Sequence, residues 1–535
     1  MDGSSPNSEG SQSSASESSP HRYWRRVRHF ALLGLVLGSA LGARIYRIGQ
    51  PPLDFAPTRQ YFAALQARCF YLEHAPAIPK WRKVLAVQNS PKTLEFPLLQ
   101  RLAALGYRLH GGEDLQIPRL LSVFAWFVGG ILMYCAARRL ASPSAALVAS
   151  AFFLLCPFGV AASRSFQPDP LMVTLLILTY LTLLEYGARG GPSRLFAAAT
   201  SGGLAVLVKP MVLFQVVAGF LAVWYTRRGR GRDRSVLHLG IFVAVVAALG
   251  AGYYLHEWFA PTRVRSWTQQ AFLPHLLLTA KFWQGWLAQS WKVVGFLAPV
   301  AALMGFLSLH KGVARRFVVG LAGGYVAFGL FFNYHCFTHD YYHLQLIPLV
   351  ALALAPFTDR VTASLREARL VARVSTDVVL LLMFVAAVLD LAVVSFYREW
   401  RANFGDEVAT YREVGGLVGH EANNVLLASY YGQPLEYYGE IGGVSWPYPP
   451  DLRLEGLMGM PARSAEERLA AMVAVHDPRY FIATDLPELH AQQGLERFLA
   501  LNFEVKAKTD RYVIYDLKAP RLPSAPPPSP PGGPR

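Results

Sequence analysis

The chain has 535 residues, of which 53% are hydrophobic and only 16% charged, and its formal net charge is +16. Soluble domains carry roughly a quarter charged residues, so an ordinary water-soluble enzyme is excluded. The basic excess does not point to nucleic acid either, because its Lys and Arg residues punctuate apolar runs instead of forming one polar surface.

Residues 1–20 are rich in Ser, Gly, Asn, Pro and Glu, and the basic cluster HRYWRRVRH follows at 21–29. Together 1–29 reads as a disordered cytoplasmic N-terminus leading into an uncleaved signal anchor. A hydrocarbon core about 30 Å thick needs roughly 20 apolar helical residues. Such runs predict spans near 30–48, 116–137, 143–162, 170–187, 195–208, 210–226, 236–257, 285–308, 317–334, 343–357 and 376–396. The fifth and sixth could instead form one helix about 48 Å long at roughly 1.5 Å per residue. Charge selects a hairpin turned at Lys209-Pro210. With it, Arg138, Arg139, Arg189, Arg194, the Arg residues of 227–234, Lys311, Arg315, Arg316 and Arg360 all fall in inside loops.

The predicted fold class is an α-helical polytopic membrane protein of about eleven spans, with its N-terminus inside and C-terminus outside. Its membrane region is 30–397 and its first exterior loop is 49–115. Within that loop, TRQYFAALQARCFYLEH (58–74) suits a helix on the membrane surface, with Tyr61, Phe62, Ala64 and Leu65 on the apolar side. After 398 the pattern changes. NVLLASYYG, RYFIATD and FEVKAKTDRYVIYDL read as strands and SAEERLAAMVAVH as a helix, giving an extracytoplasmic α/β domain over 398–518. Residues 519–535 are a disordered proline-rich tail. The four cysteines form no disulfide framework or zinc motif, although Cys69 and Cys336 share the exterior side and a bridge between them stays open.

Ionisable residues at membrane depth are costly, and they mark the candidate site. Asp54 follows the first span and could take a proton from an acceptor, or simply cap the next helix, as could Thr58. Glu95, in TLEFPLLQRL, admits the same two readings. In SRSFQPDPLM, Asp169 before Pro170 also fits a helix start, while Arg164 fits a headgroup contact. Lys209 interrupts an apolar hairpin on the side where positive charge is disfavoured, so it suits a phosphate, or snorkels to headgroups. HCFTHDYYH holds His335, His339, Asp340 and His343. The i, i+4 spacing of His339 and His343 would allow metal ligation, against an interfacial aromatic belt. Walker A, GxGxxG and GxSxG patterns are lacking in the required contexts.

The segments PPLDFAPTRQY, EFPLLQRLAALGYRLHG, SRSFQPDPLMVTLL, GLAVLVKPMVLF and YYHLQLIPLVALAL, in this order, resemble the GT-C glycosyltransferases that use polyprenyl-phosphate sugars. These include protein mannosyltransferases, the aminoarabinose transferase of lipid A and rhizobial lipopolysaccharide-core transferases. The resemblance covers about 30–360. It implies an integral membrane enzyme whose active side is extracytoplasmic, and whose partners are a polyprenyl-phosphate sugar, membrane lipids and an extracytoplasmic acceptor. Asp54 would be the base, with Arg59, Arg164, Lys209 and His343 on the donor phosphate and Glu95, Asp169, His339 and Asp340 in support. Transfer would invert the sugar carbon. Many members carry adjacent acidic residues where Asp54 stands alone, so the base and any divalent metal stay open. A lipid-linked saccharide transporter or flippase is the alternative, and a scaffold presenting the α/β domain is a third reading.

Overall fold

Long apolar segments must close their backbone hydrogen bonds internally when no water reaches them, so helices dominate. The computed structural model describes residues 19–75, 78–92, 94–228, 235–260, 272–367, 389, 403–492 and 494–521. Its first helices are α1 (Ser19–Ile45), α2 (Pro57–Leu72), α3 (Lys80–Asn89), α4 (Leu98–His110), α5 (Gln116–Ala137) and α6 (Pro143–Leu155). They continue with α7 (Pro157–Ser163), α8 (Asp169–Arg189), α9 (Pro192–Val208), α10 (Leu213–Arg228), α11 (Ser235–Val246) and α12 (Gly252–Phe259). Residues 19–29, expected to be disordered, are the first turns of α1. The apolar run behind them propagates helix backwards through the basic cluster.

Six of the described helices are long and apolar enough to cross a membrane, or nine spans if each of three bent pairs counts as one. The short α9 adds a further apolar helix. The predicted span 376–396 lies outside the described residues. The 285–308 run breaks into helices Ala280–Val294 and Leu297–Ser308, bent by 90°. Gly295 makes this break with a φ of +70°, a conformation that glycine adopts without steric cost. The second piece packs on helix Leu346–Glu367 so closely that a Cβ on Gly305 would sit 2.1 Å from the Ala353 carbonyl. Small residues permit such backbone approach between membrane helices.

Between α9 and α10 the chain turns. Lys209 is extended, and Pro210–Val212 form a tight turn before α10. Arg227, at the far end of α10, donates to the Tyr186 and Gly187 carbonyls near the end of α8. Since α9 starts directly after α8, α9 and α10 run as the predicted hairpin. The same end holds the Arg139–Glu185 pair and the Ser142–Asp359 contacts. The Arg-rich loops thus gather at one end and Lys209 lies at the other.

The predicted surface helix is not at a surface. Most of α2 is buried between α4 and residues 429–439, and none of its residues is fully exposed. Its polar side chains are taken up inside: Arg68 pairs with Glu113 and with the Tyr437 carbonyl, and Gln66 donates to Pro91. Apolar faces left open include those of α4, through Leu102, Leu105 and Leu109, and of helix 280–294, through Trp283, Leu287 and Trp291.

Residues 405–520 form a five-stranded sheet with helices on both faces. The strands are β1 (Asn424–Leu427), β2 (Val444–Ser445), β3 (Tyr480–Ala483), β4 (Phe503–Lys508) and β5 (Val513–Pro520), in the order β2-β1-β3-β5-β4. β1 pairs in parallel with β2 and β3, whereas β5 runs antiparallel to β3 and β4. Alternation feeds two cores: Leu426, Ile482 and Ile514 on one face, Val425, Phe481 and Val513 on the other. β5 extends to Pro520, slightly into the stretch expected to be disordered, and 522–535 lie outside the described residues.

Candidate active site

Among the charged residues away from the Arg-rich end, two groups are joined by the turn 164–169. In the first, Asp54 is almost fully buried. Its Oδ2 accepts from Arg119 Nη2 at 2.5 Å, with Arg164 Nε at 3.8 Å. Its Oδ1 accepts from the Phe55 amide at 3.0 Å and from Gln60 Nε2 at 3.1 Å. Arg119, in the first turn of α5, donates in addition to the carbonyls of Arg164, Ile48 and Gln50 at 2.7–2.8 Å. One guanidinium therefore ties the loop after α1 to the turn after α7, using the planar fork that suits arginine to such a role. Arg164 also donates to the Tyr46 carbonyl at 2.7 Å. The helix-cap reading of Asp54 and Thr58 fails, since α2 is entered through Ala56 in the left-handed region with no side-chain cap.

The second group holds two cations and two carboxylates. Arg59 Nη2 reaches Glu95 Oε1 and Oε2 at 2.7 and 2.5 Å. Lys209 Nζ lies 2.7 Å from Asp169 Oδ1 and 3.6 Å from Glu95 Oε1, and about equally over the Tyr341 and Tyr342 rings at 5.3 Å. Burial alone would raise the Glu95 carboxyl, but Arg59 and Lys209 hold it below the usual carboxylate range. Asp169 is the first residue of α8 and not its cap, so its charge is spent on Lys209. Two polar atoms here are buried without a hydrogen-bond partner in the structure, Arg59 Nε and Asp169 Oδ2.

His335 and His339 border this group, their rings 5.8 Å apart. Burial, together with His339, Lys209 and Arg59, pushes His335 down to about 3. Burial, opposed by Asp340 and reinforced by Arg59 and Lys209, pushes His339 down to about 4. Both are neutral imidazoles at physiological pH. His343 and Asp340 do not join them. The His343 ring is enclosed in the bundle between the Tyr325 hydroxyl at 2.5 Å and the Cys336 carbonyl at 2.8 Å, so it does not face a phosphate. Asp340 pairs with Lys292 near the surface. No disulfide joins any of the four cysteines.

A resident metal does not fit this chemistry. Among the described residues no three His, Cys, Asp or Glu side chains come together as ligands. Each site carboxylate is already opposed by a cation: Asp54 by Arg119, Glu95 by Arg59, and Asp169 by Lys209. The arrangement instead offers fixed cationic donors, balanced in the second group by two carboxylates, at a largely buried place.

Sequence reasoning placed Arg59, Lys209, Glu95 and Asp169 at the site, and the structure brings these four together. Arg164 belongs with Asp54 instead. The residue it missed is Arg119, although IPRLL carries the signal used for Lys209: a basic residue opening an apolar helix at the exterior end.

The fold is the one seen in GT-C membrane proteins, with six described helices long and apolar enough to cross a membrane. The dolichyl-phosphate-mannose-protein mannosyltransferase family matches residues 92–254. ArnT from Cupriavidus metallidurans bound to undecaprenyl phosphate superposes with a TM-score of 0.53 at 16% identity, covering 92% of this chain and 98% of that one. The Archaeoglobus fulgidus oligosaccharyltransferase tethered to an acceptor peptide gives a TM-score of 0.55 at 11% identity, covering 90% and 73%. The Archaeoglobus enzyme AglB with an inhibitory peptide and a dolichol-phosphate gives 0.51 at 11% identity, covering 91% and 73%. No curated protein matches the sequence.

Proposed function

We propose that the protein is a glycosyltransferase that moves a sugar, hexosyl or pentosyl, from a polyprenyl-phosphate donor to an extracytoplasmic acceptor. The observation that carries this reading is that Arg59 and Lys209 converge on Glu95 at the exterior ends of the helices, with Arg59 Nε open for a further acceptor atom. The undecaprenyl phosphate and dolichol-phosphate bound by ArnT and AglB support a lipid phosphate as that acceptor.

In the reaction, an acceptor oxygen or nitrogen attacks the anomeric carbon and the bond from that carbon to the phosphate oxygen breaks. Negative charge then grows on the departing polyprenyl phosphate. Arg59 and Lys209 are fixed beforehand where that charge develops, which lowers the barrier without reorganisation. Asp54, held by Arg119 and Gln60, takes the acceptor proton in our assignment, and a single displacement inverts the sugar carbon. One observation favours a second assignment of the base. Both Asp54 oxygens carry donors, whereas Asp169 Oδ2 has none.

Purified protein supplied with radiolabelled polyprenyl-phosphate sugars and a membrane-lipid acceptor tests the proposal. Transfer should fall by about 10²–10⁴-fold in whichever of Asp54→Asn and Asp169→Asn removes the base. Labelled lipid crossing vesicles without donor consumption would instead establish transport.

A further inference from the structure

The α/β region contains a cavity of about 500 Å³, within the range of small-molecule sites. Its position follows from topology. After β1 the chain crosses to β2 on one side, and after β3 it proceeds to the strands on the other side. The two parallel strands therefore diverge in their connections. In open α/β sheets, ligands bind in the crevice outside the carboxyl ends of strands at such a switch point. Ser429 and Tyr430, just beyond β1, and Thr484 and Asp485, just beyond β3, line the cavity together with Tyr411 and Asp510.

The lining has a definite chemistry. Tyr411 and Tyr430 supply aromatic surface, and the hydroxyls and carboxylates supply hydrogen-bond acceptors. Asp485 is fixed, accepting from Ser429 Oγ at 3.0 Å and Tyr448 OH at 3.1 Å. Acceptors outnumber cationic donors, which disfavours an anion and favours a neutral molecule rich in hydroxyls with an apolar face. The following turn is unusual as well: Tyr430 and Tyr431 both adopt left-handed backbone, with φ of 59° and 61°. Nothing about tyrosine favours that conformation, and such strain is found where surrounding structure over-determines a functional loop.

The turn that carries two of the lining residues, Ser429 and Tyr430, also touches the membrane region. The turn 429–432 packs against α2, the helix that carries Arg59. Tyr431 donates to Asp451 at 3.1 Å. Its hydroxyl is pushed up by burial and Asp451, with Tyr334 and Tyr341 adding smaller contributions, and the last of these rings is one that flanks Lys209.

We infer that this crevice binds the saccharide portion of the acceptor and presents it to the charged site in the membrane region. The inference rests on the glycosyltransferase reading, and it assigns the substrate class of the acceptor: a polyhydroxylated glycan.

The test uses the full chain in nanodiscs and a panel of neutral methyl glycosides (gluco, galacto and manno forms), with ethanolamine and methyl phosphate as controls. Binding is read by saturation-transfer NMR. At least one glycoside should bind the wild type, and its signal should drop at least fivefold in Asp485→Asn and Tyr430→Gly. Glycine suits the left-handed backbone at 430, so Tyr430→Gly should unfold at the same or a higher temperature while losing binding, which a merely structural role would not produce. Absence of glycoside binding by the wild type would overturn the inference, as would equal binding by both variants or stronger binding of either control. Glycoside binding without any consumption of labelled polyprenyl-linked donor would leave the crevice standing and sink the catalytic reading instead.

Discussion

The two charge groups at the ends of the turn 164–169 are built from the same residue types and differ in completeness. Around Asp54 the carboxylate carries a donor on each oxygen, and the Arg119 fork is used on all three nitrogens. Around Lys209, one oxygen of the buried Asp169 carboxylate has no hydrogen-bond donor. A buried ionic group left incomplete is costly, so its persistence points to a ligand, whereas a completed one points to architecture. The difference separates a group that ties helices together while holding the proposed base Asp54 from a group proposed to meet the donor phosphate.

Breaking the closed group should have the largest effect. Arg119→Leu leaves Asp54 buried and opposed only by the more distant Arg164, and should destabilise the protein by about 3–5 kcal/mol. Thermal unfolding in detergent measures this, and Arg119→Leu with Asp54→Leu should recover much of the loss. The open group should respond in binding. Lys209→Gln is expected to weaken undecaprenyl phosphate affinity about 10- to 100-fold, the worth of a charged hydrogen bond, with Lys209→Arg partly restoring it. Arg164→Gln should change that affinity less than threefold. Equal effects would erase the distinction between the groups.

The histidines beside the open group predict a smaller, pH-dependent effect. His335 and His339 titrate at about 3 and about 4 when folded, below the ordinary value of 6.5. Between 6.5 and those values the unfolded chain binds protons that the folded chain refuses. Stability is therefore fully present above pH 6.5 and declines as the pH falls toward 4. The decline should be on the order of 2 kcal/mol for each histidine by pH 5, and flatter in His335→Gln/His339→Gln. The smallest effect belongs to the joint between the groups. Ala56 enters α2 at a φ of 41°, and Ala56→Gly should raise stability by no more than about 1 kcal/mol in the same unfolding assay.

Much of this was legible along the chain. Asp54, Arg59, Arg164 and Lys209 stand out because a charge beside an apolar run contradicts its surroundings, and the hairpin at Lys209 followed from loop charge. Pairing was not legible, because the partners are brought together by helix packing: Arg59 meets Glu95 across 36 residues and Asp54 meets Arg119 across 65. The break at Gly295 stayed hidden because hydropathy continues straight through it. The burial of α2 was missed for a related reason. An amphipathic face reports that something apolar lies against it, without saying whether that is lipid or protein. Alternation revealed the strands of the tail, but only the structure gives their order, and the switch-point crevice depends on order.

The Arg119 fork has a consequence for how the protein is made. Its acceptors come from residues 48–54 and from Arg164, on either side of α5 in the chain. The acceptors at 48–54 precede α5 and can be taken as soon as α5 emerges, whereas the last waits for the turn after α7. The fork is therefore completed in two stages: the first fixes the loop after α1 to α5, and the second locks the turn 164–169 onto both.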